Sequence, residues 1–408
     1  MKKTFLKFLP LMAAVLLTTS CSKDEDNNDA VKPDTTKQAN TETEQYGVPF
    51  TIKVVTGKKL SKIAYEDQGA TVQPSFSESD VDNLIMILSP AKDPTSMSYG
   101  HLTLKNVNGT FKGELWPEPE EGTEILVELY AGDGYDESST ESLTKLMENC
   151  QHKYEGTFTY GSGNEVKLTD QNAYFEIFMS PLQHKLSAKM YNEEKTFDVN
   201  TENGKVWIVV AKGHSFETNF YSKKSPEAGT IYTIDRSGYV DLGLSNGTLW
   251  ADKNVGASTY DDADDYYTFE EAQKLKDITL PTSGENSDFE LLKTQCTWVY
   301  QNGGFYVFKS QKDEDKGQSS TSFGSYSTDY HPYIFLPCAG EIRNGETSIT
   351  FKGSHGFYWS GSEKDNYYAY CLAINYSDMM DYITISSNLN NDKLDKFTLR
   401  TVLQKSKD

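Results

Sequence analysis

Arginine is nearly missing from this chain: among 39 Lys+Arg residues, only Arg236, Arg343 and Arg400 are arginine. No cluster of guanidinium forks is therefore available to grip phosphate-rich ligands by two-point contact. Positive charge as a whole is outweighed, with 60 Asp+Glu giving a net charge of -21. That balance argues against nucleic acid and anionic membrane surfaces as partners. Histidine is scarce too: the six are His101, His152, His184, His214, His331 and His355. No pair has the i,i+4 spacing of a helical zinc site. There is no nucleophile elbow and no Gly-rich phosphate loop. The chain is thus expected to bind rather than catalyse. His355 reads as a loop or core histidine. After Phe8–Leu17, no apolar run is long enough to span a bilayer. Cysteine is sparse: beyond Cys21 there are Cys150, Cys296, Cys338 and Cys371. An oxidising compartment would allow three pairings among these four, with buried free thiols as the other outcome, and spacing does not choose.

What is present begins at the N-terminus. Lys2, Lys3 and Lys7 precede the apolar stretch Phe8–Leu17, and small residues Thr18-Thr19-Ser20 lead into Cys21. This is the layout of a lipoprotein signal peptide over residues 1–20, with lipid attached to the Cys21 sulfur. Thr18 departs from it, standing where a leucine is usual. The run Ser22–Asp29 is rich in Asp, Glu and Asn, and an acidic run so close behind the cysteine resembles the surface-export signal of Bacteroidetes lipoproteins. Residues 21–45 lack apolar periodicity and read as a flexible tether. The expected location is the outer membrane, lipid-anchored and facing outward. Several acyl chains make such an anchor hold where one would not.

The folded part is expected to be mainly β. Aromatics make up 12% of the chain, with 26 Tyr, a composition common in extracellular β-proteins where the ring packs on one side and the hydroxyl stays wet. Residues 46–150 alternate short β-rich runs with turn signals, and Asn108-Gly109 predicts a hairpin. Ile125, Val127 and Leu129 alternate with Glu124, Leu126 and Glu128, the pattern of a half-buried antiparallel strand in a sandwich. Ser138 and Glu141 predict a capped helix that buries Cys150. Residues 151–236 form a second sandwich, in which Leu186, Ala188 and Met190 face one way and Val206, Ile208 and Val210 likewise. Residues 237–408 change character. Thr268 and Ser287 open two short helices, with Glu271 and Glu290 reaching back to complete the caps. Strands are predicted after Trp298, including Ser348–Phe351 and Lys396–Leu403. Helices followed by aromatic hairpins make an α+β block.

These blocks resemble known families. The third is similar to the Fibrobacter succinogenes major paralogous domain, whose fold is C-type-lectin-like. The likeness rests on Val240–Leu244, Gly247–Ala251, Asn254–Ala257, Asp265-Tyr266, Leu280–Thr282, Cys296–Trp298, Leu336–Gly340, Tyr358–Ser360 and Arg400, in order along the chain. It implies that Trp250, Trp298 and Trp359 are core rings. The first two blocks resemble the fimbrillin-like β-sandwich proteins of Bacteroidetes, through Gly109–Gly113 before Trp116, the strand Leu186–Met190 and Ala228–Ile234. That resemblance implies a surface subunit that meets fimbrial subunits by strand donation. The protease that matures some such subunits needs an arginine, and none lies between Cys21 and Arg236, which leaves a different protease, an unprocessed anchor or tip subunit, or no polymerisation.

Two sets of residues are candidates for ligands. Asp261, Asp262, Asp264 and Asp265 cluster carboxylates of the kind that suit Ca²⁺; otherwise no cofactor is expected. The Glu-Pro-Asn and Trp-Asn-Asp sequences by which some C-type lectins hold Ca²⁺ and sugar are missing from this block. Tyr326, Tyr330, Tyr367 and Tyr368 lie in polar, turn-rich stretches where exposed rings stack on sugar faces. The sequence thus supports a fimbria-associated or tip adhesin presenting a lectin-like module to a host or dietary glycan or protein. The alternative is a surface glycan-binding lipoprotein of a nutrient importer.

Overall fold

A computed structural model describes residues 48–54, 83–94, 99–103, 110–132, 152–190, 193–263, 265–377 and 382–405. The expected signal peptide, Cys21, tether, helix from Ser138 and Cys150 lie outside the described residues, as does the Asn108-Gly109 turn. The described chain is mainly β, arranged in several largely antiparallel sheets.

The first sandwich pairs two sheets. One places Val48–Val54 between Thr110–Leu115 and the short Glu165–Val166. The other runs Gly100–Thr103, Asn83–Pro90, Glu124–Gly132, His152–Thr159 and Thr169–Asp170. Phe50, Ile52, Phe111 and Leu115 from one sheet meet Met86, Leu88, Ile125, Val127 and Leu129 from the other in a single core. Strand His152–Thr159 pairs with Glu124–Gly132, so this sheet continues past the boundary expected at 150/151.

The larger sheet has no wholly wet face. Ile85, Ile87 and Tyr130 point the other way, into the core of the second sandwich. Between them Lys153 Nζ lies 2.7 Å from Glu128 and 3.1 Å from Glu155. Glu128, expected in solvent, sits in this seam. The alternation in the strand was legible, but the second layer on its polar face was not, because charged residues that pair with each other mimic a solvated face.

The second sandwich sets Lys205–Ala211, Asn172–Phe178 and Ile231–Asp235 against Glu193–Asp198, Lys185–Met190, Phe216–Thr218 and Ser222–Lys223. Leu186, Ala188 and Met190 share its core with Val206, Ile208 and Val210.

The C-terminal block is closed by its own ends. Leu249–Ala251 pairs with Tyr239–Asp241 on one side and with Val402–Leu403 on the other. A second sheet orders Ser319–Ser320, Cys296–Gln301, Gly304–Lys309 and Tyr333–Pro337. A third orders His355–Glu363, Tyr368–Ser377 and Tyr382–Asp392. Trp250, Trp298 and Trp359 are fully buried. Thr268 and Glu271 form a complete capping box on helix Phe269–Lys274. Ser287 caps helix Asp288–Gln295, but Glu290 does not reach back: its carboxylate accepts from the Ser387 hydroxyl. Ser348–Phe351 is not a strand. Only Thr350 makes a bridge there, to Glu341.

The segment Ser180–Gln183 joins sandwich to block. Ser180 Oγ donates to Asp252 at 2.7 Å, and Gln183 Oε1 accepts from Asp241 N at 2.6 Å. Leu182 packs against two cores of the C-terminal block.

Candidate functional site

The C-terminal block carries its irregular loops on buried polar anchors. Asp288 gathers hydrogen bonds from Asn246 Nδ2, Thr248 Oγ1, Gln404 Nε2 and both the amide and hydroxyl of Thr282. Burial pushes its pKa up, but these donors outweigh burial and hold it below the usual carboxylate value. Arg400 is fully buried and donates to Ala251 O at 3.0 Å and Phe335 O at 2.6 Å. Burial brings its pKa down to about 10. With these anchors fixed, the outer loops have a rigid base.

One outer edge is assembled from three chain segments. Gly340 adopts φ +77°, and a Cβ there would lie 2.1 Å from Thr350 O, so only glycine lets the following loop fold back this closely. Glu341 and Thr350 exchange backbone hydrogen bonds of 3.0 and 2.8 Å, which closes that loop. Ile342 and Lys396 do the same at 3.1 and 2.8 Å, and Asn344 N donates to Asp395 Oδ1 at 2.9 Å. Lys393 N then reaches Tyr367 O at 3.0 Å. The 341–353 loop, the 392–396 segment and the Tyr367-Tyr368 turn thus form a continuous edge.

The edge presents apolar and charged groups together. Phe351 is 45% exposed and Leu394 58%. Phe351 also holds φ +61°, a left-handed backbone that a bulky side chain seldom adopts. Arg343 lies over its ring, with Cζ 5.3 Å from the centroid. His355 packs against the same ring at 4.7 Å, tilted by 41°. Glu341 is buried and accepts from Arg343 Nε at 2.8 Å, which raises the arginine pKa further. Asp395 beside it has its pKa raised by burial first, with Glu341 and Asp392 adding to the effect. Burial lowers the His355 pKa, so its ring is neutral at pH 7.

The sequence candidates fall into different places. Tyr367 and Tyr368 belong to this edge and are exposed. Asp365 Oδ1 accepts from both of their amides, and Lys364 lies over the Tyr368 ring. Tyr330 is exposed on another turn. Tyr326 is not available: it is buried, packs on Phe308, and its hydroxyl is engaged with Thr297 and Asp315. A polar neighbourhood in sequence concealed a ring that its own loop folds over. Asp261, Asp262 and Asp265 do not converge, and among the described residues no three acidic, imidazole or thiol groups come together to hold a metal. Asp261 accepts from Thr259 and Asp265 from the Tyr267 hydroxyl; Asp264 lies outside the described residues. Cys296, Cys338 and Cys371 are free and buried. Burial pushes the Cys338 and Cys371 thiols up to about 12, so both are inert as nucleophiles.

Sequence reading missed Glu341, Arg343 and Phe351. The rarity of arginine was the available signal: one of three is core and another, Arg236, bonds the neighbouring Asp235 carbonyl. Only Arg343 is presented on a ring.

No protein-family model matches the chain, and no curated protein matches it either. Among solved structures, a fimbrial assembly protein from Parabacteroides distasonis is 11% identical, covering 48% of this chain and 92% of its own, with a TM-score of 0.23. The major pilin protein of Streptococcus pyogenes is 6% identical, covering 47% of this chain and 97% of its own, with a TM-score of 0.14. Scores this low do not establish a common fold.

Proposed function

We propose that this chain is a surface-displayed adhesin, a fimbria-associated or tip lipoprotein whose two fimbrillin-like sandwiches carry a C-type-lectin-like recognition block. One observation carries the reading. Among the described residues, only two exposed large apolar side chains, Trp116 and Ile231, precede Ser237, while nine lie in the C-terminal block. Rings and aliphatic groups left in solvent on one block suit a block that meets a partner. The signal-like N-terminus, Cys21 and the tether fit an outer-membrane lipid anchor. On this reading the protein acts by binding, without catalysis.

Deleting the chain is expected to lower adhesion of the producing cell or to alter its fimbriae under electron microscopy. Unchanged adhesion and unchanged fimbriae would sink the proposal. Mass analysis of the mature N-terminus tests the anchor directly: an acylated Cys21 is expected, and an unmodified one would remove it. The mixture of rings and hydrogen-bonding groups on the edge also suits a glycan-binding lipoprotein of a nutrient importer. Strand-exchanged oligomers on the cell surface favour the first reading; growth loss on one polysaccharide favours the second.

A further inference from the structure

Arg343 is a surface guanidinium held from two sides. Its Nε is fixed at 2.8 Å by Glu341, whose side chain is only 6% exposed. Its Cζ lies 5.3 Å from the Phe351 ring centroid, and that ring packs against His355. Both Nη atoms have no hydrogen-bond partner among the described residues. Such a guanidinium offers a pre-organised pair of donors with little side-chain entropy left to lose. Near it lie acceptors, the Glu341 and Asp395 carboxylates, and apolar carbon, the Phe351 ring; Ile349 and Leu394, both exposed, belong to the same loop and the neighbouring segment. Phe351 keeps its left-handed backbone in an exposed loop, where glycine would relieve the strain.

Donors, acceptors and apolar carbon at one small spot match a ring that has hydroxyls around its rim and C–H bonds on its face. We infer that Arg343, Glu341 and Phe351 form a metal-independent subsite for a neutral hexose unit of a glycan, an inference that rests on reading the C-terminal block as a recognition module. Charge selects neutral over acidic sugars. Glu341, Glu346 and Asp395 all act on Arg343, and a ligand carboxylate would face those three carboxylates in a chain of net charge -21. The Nη donors would bond hydroxyl oxygens, Asp395 would accept from a neighbouring hydroxyl, and the ring edge of Phe351 with Ile349 would cover the sugar's C–H face.

The test uses the detergent-solubilised full chain. Binding is measured by calorimetry to glucan, mannan and galactan hexasaccharides and to an oligogalacturonate of the same length. At least one neutral hexasaccharide is expected to bind more tightly than the oligogalacturonate. Arg343→Lys, which keeps the charge but loses the fork, and Phe351→Gly, which tolerates the left-handed backbone, should each weaken it about tenfold or more without lowering the melting temperature. Chelator should change nothing. No neutral binding, preferred acidic binding, chelator sensitivity, or wild-type affinity in both variants would overturn the inference. Cells separate it from the wider reading. If deletion abolishes adhesion but the Phe351→Gly chain restores it fully, the subsite falls and the adhesin stands. If deletion leaves adhesion and fimbriae unchanged while Phe351 governs hexasaccharide binding, the subsite stands and the adhesin falls.

Discussion

The second sandwich and the C-terminal block solve the same burial problem by different means. In the sandwich, alternate residues of Lys185–Met190 and Lys205–Ala211 turn inward, and the ladders themselves pair the backbone groups. Its core joins aliphatic and aromatic side chains from both sheets, with Asn172 and Thr218 among its few buried polar residues. In the C-terminal block, short strands and irregular connections both carry backbone groups into the interior. Buried polar side chains meet them: Arg400 serves the strand carbonyls of Ala251 and Phe335, and Asp288 serves the amide of Thr282 in a loop. Regular sheets bury oil; folded-back loops must also bury hydrogen-bonding partners, because an unpaired backbone group is costly.

Substitutions at four positions probe that contrast. Arg400→Ala has the largest expected effect, about 3–5 kcal/mol in denaturant titration, since it strands two buried carbonyls and empties a large volume. A loss below about 1 kcal/mol would show that water replaces the guanidinium and that the polar anchor is dispensable. Leu186→Ala in the sandwich should cost about 3 kcal/mol through a cavity alone, and its effect should not vary with pH. Asp288→Asn should cost about 1–2 kcal/mol at pH 7. The sign with pH follows from the lowered pKa. A carboxylate held below its unfolded value stabilises the fold above that value, and the contribution is lost as pH falls through and below the ordinary carboxylate range. Wild type and Asp288→Asn should therefore converge on acidification; a constant gap from pH 7 to pH 3 would contradict this. The smallest effect belongs to Phe351. Phe351→Gly should be more stable than Phe351→Ala by about 1 kcal/mol, since both lose the ring but only glycine relieves the left-handed backbone. Equal stabilities would mean that the loop carries no strain.

Legibility differed between the regions for the same reason. Strands Lys185–Met190 and Lys205–Ala211 were readable because their period is two and local. The helix starts at Thr268 and Ser287 were readable because a cap is spelled within four residues. Glu290 misled because Ser387, far along the chain, competes for its carboxylate. Tyr326 misled because exposure depends on which loop covers a ring. Strand Cys296–Gln301 passed unread because it follows a helix without a turn signal. Of the candidate edge, Tyr367 and Tyr368 were found by their polar context, whereas Phe351 was read as part of a strand.

The sequence by itself determined the β-rich class and the inward faces of the sandwich strands, since each depends on residue type and short spacing. It also set the net charge of -21. Tertiary structure alone decided that the larger sheet of the first sandwich has no wholly wet face, that Asp288 and Arg400 are buried anchors, and that Arg343 lies over Phe351 beside Glu341. Each of those depends on segments far apart in the chain meeting at one point, where closeness in space is set by how the loops close, which no local periodicity records.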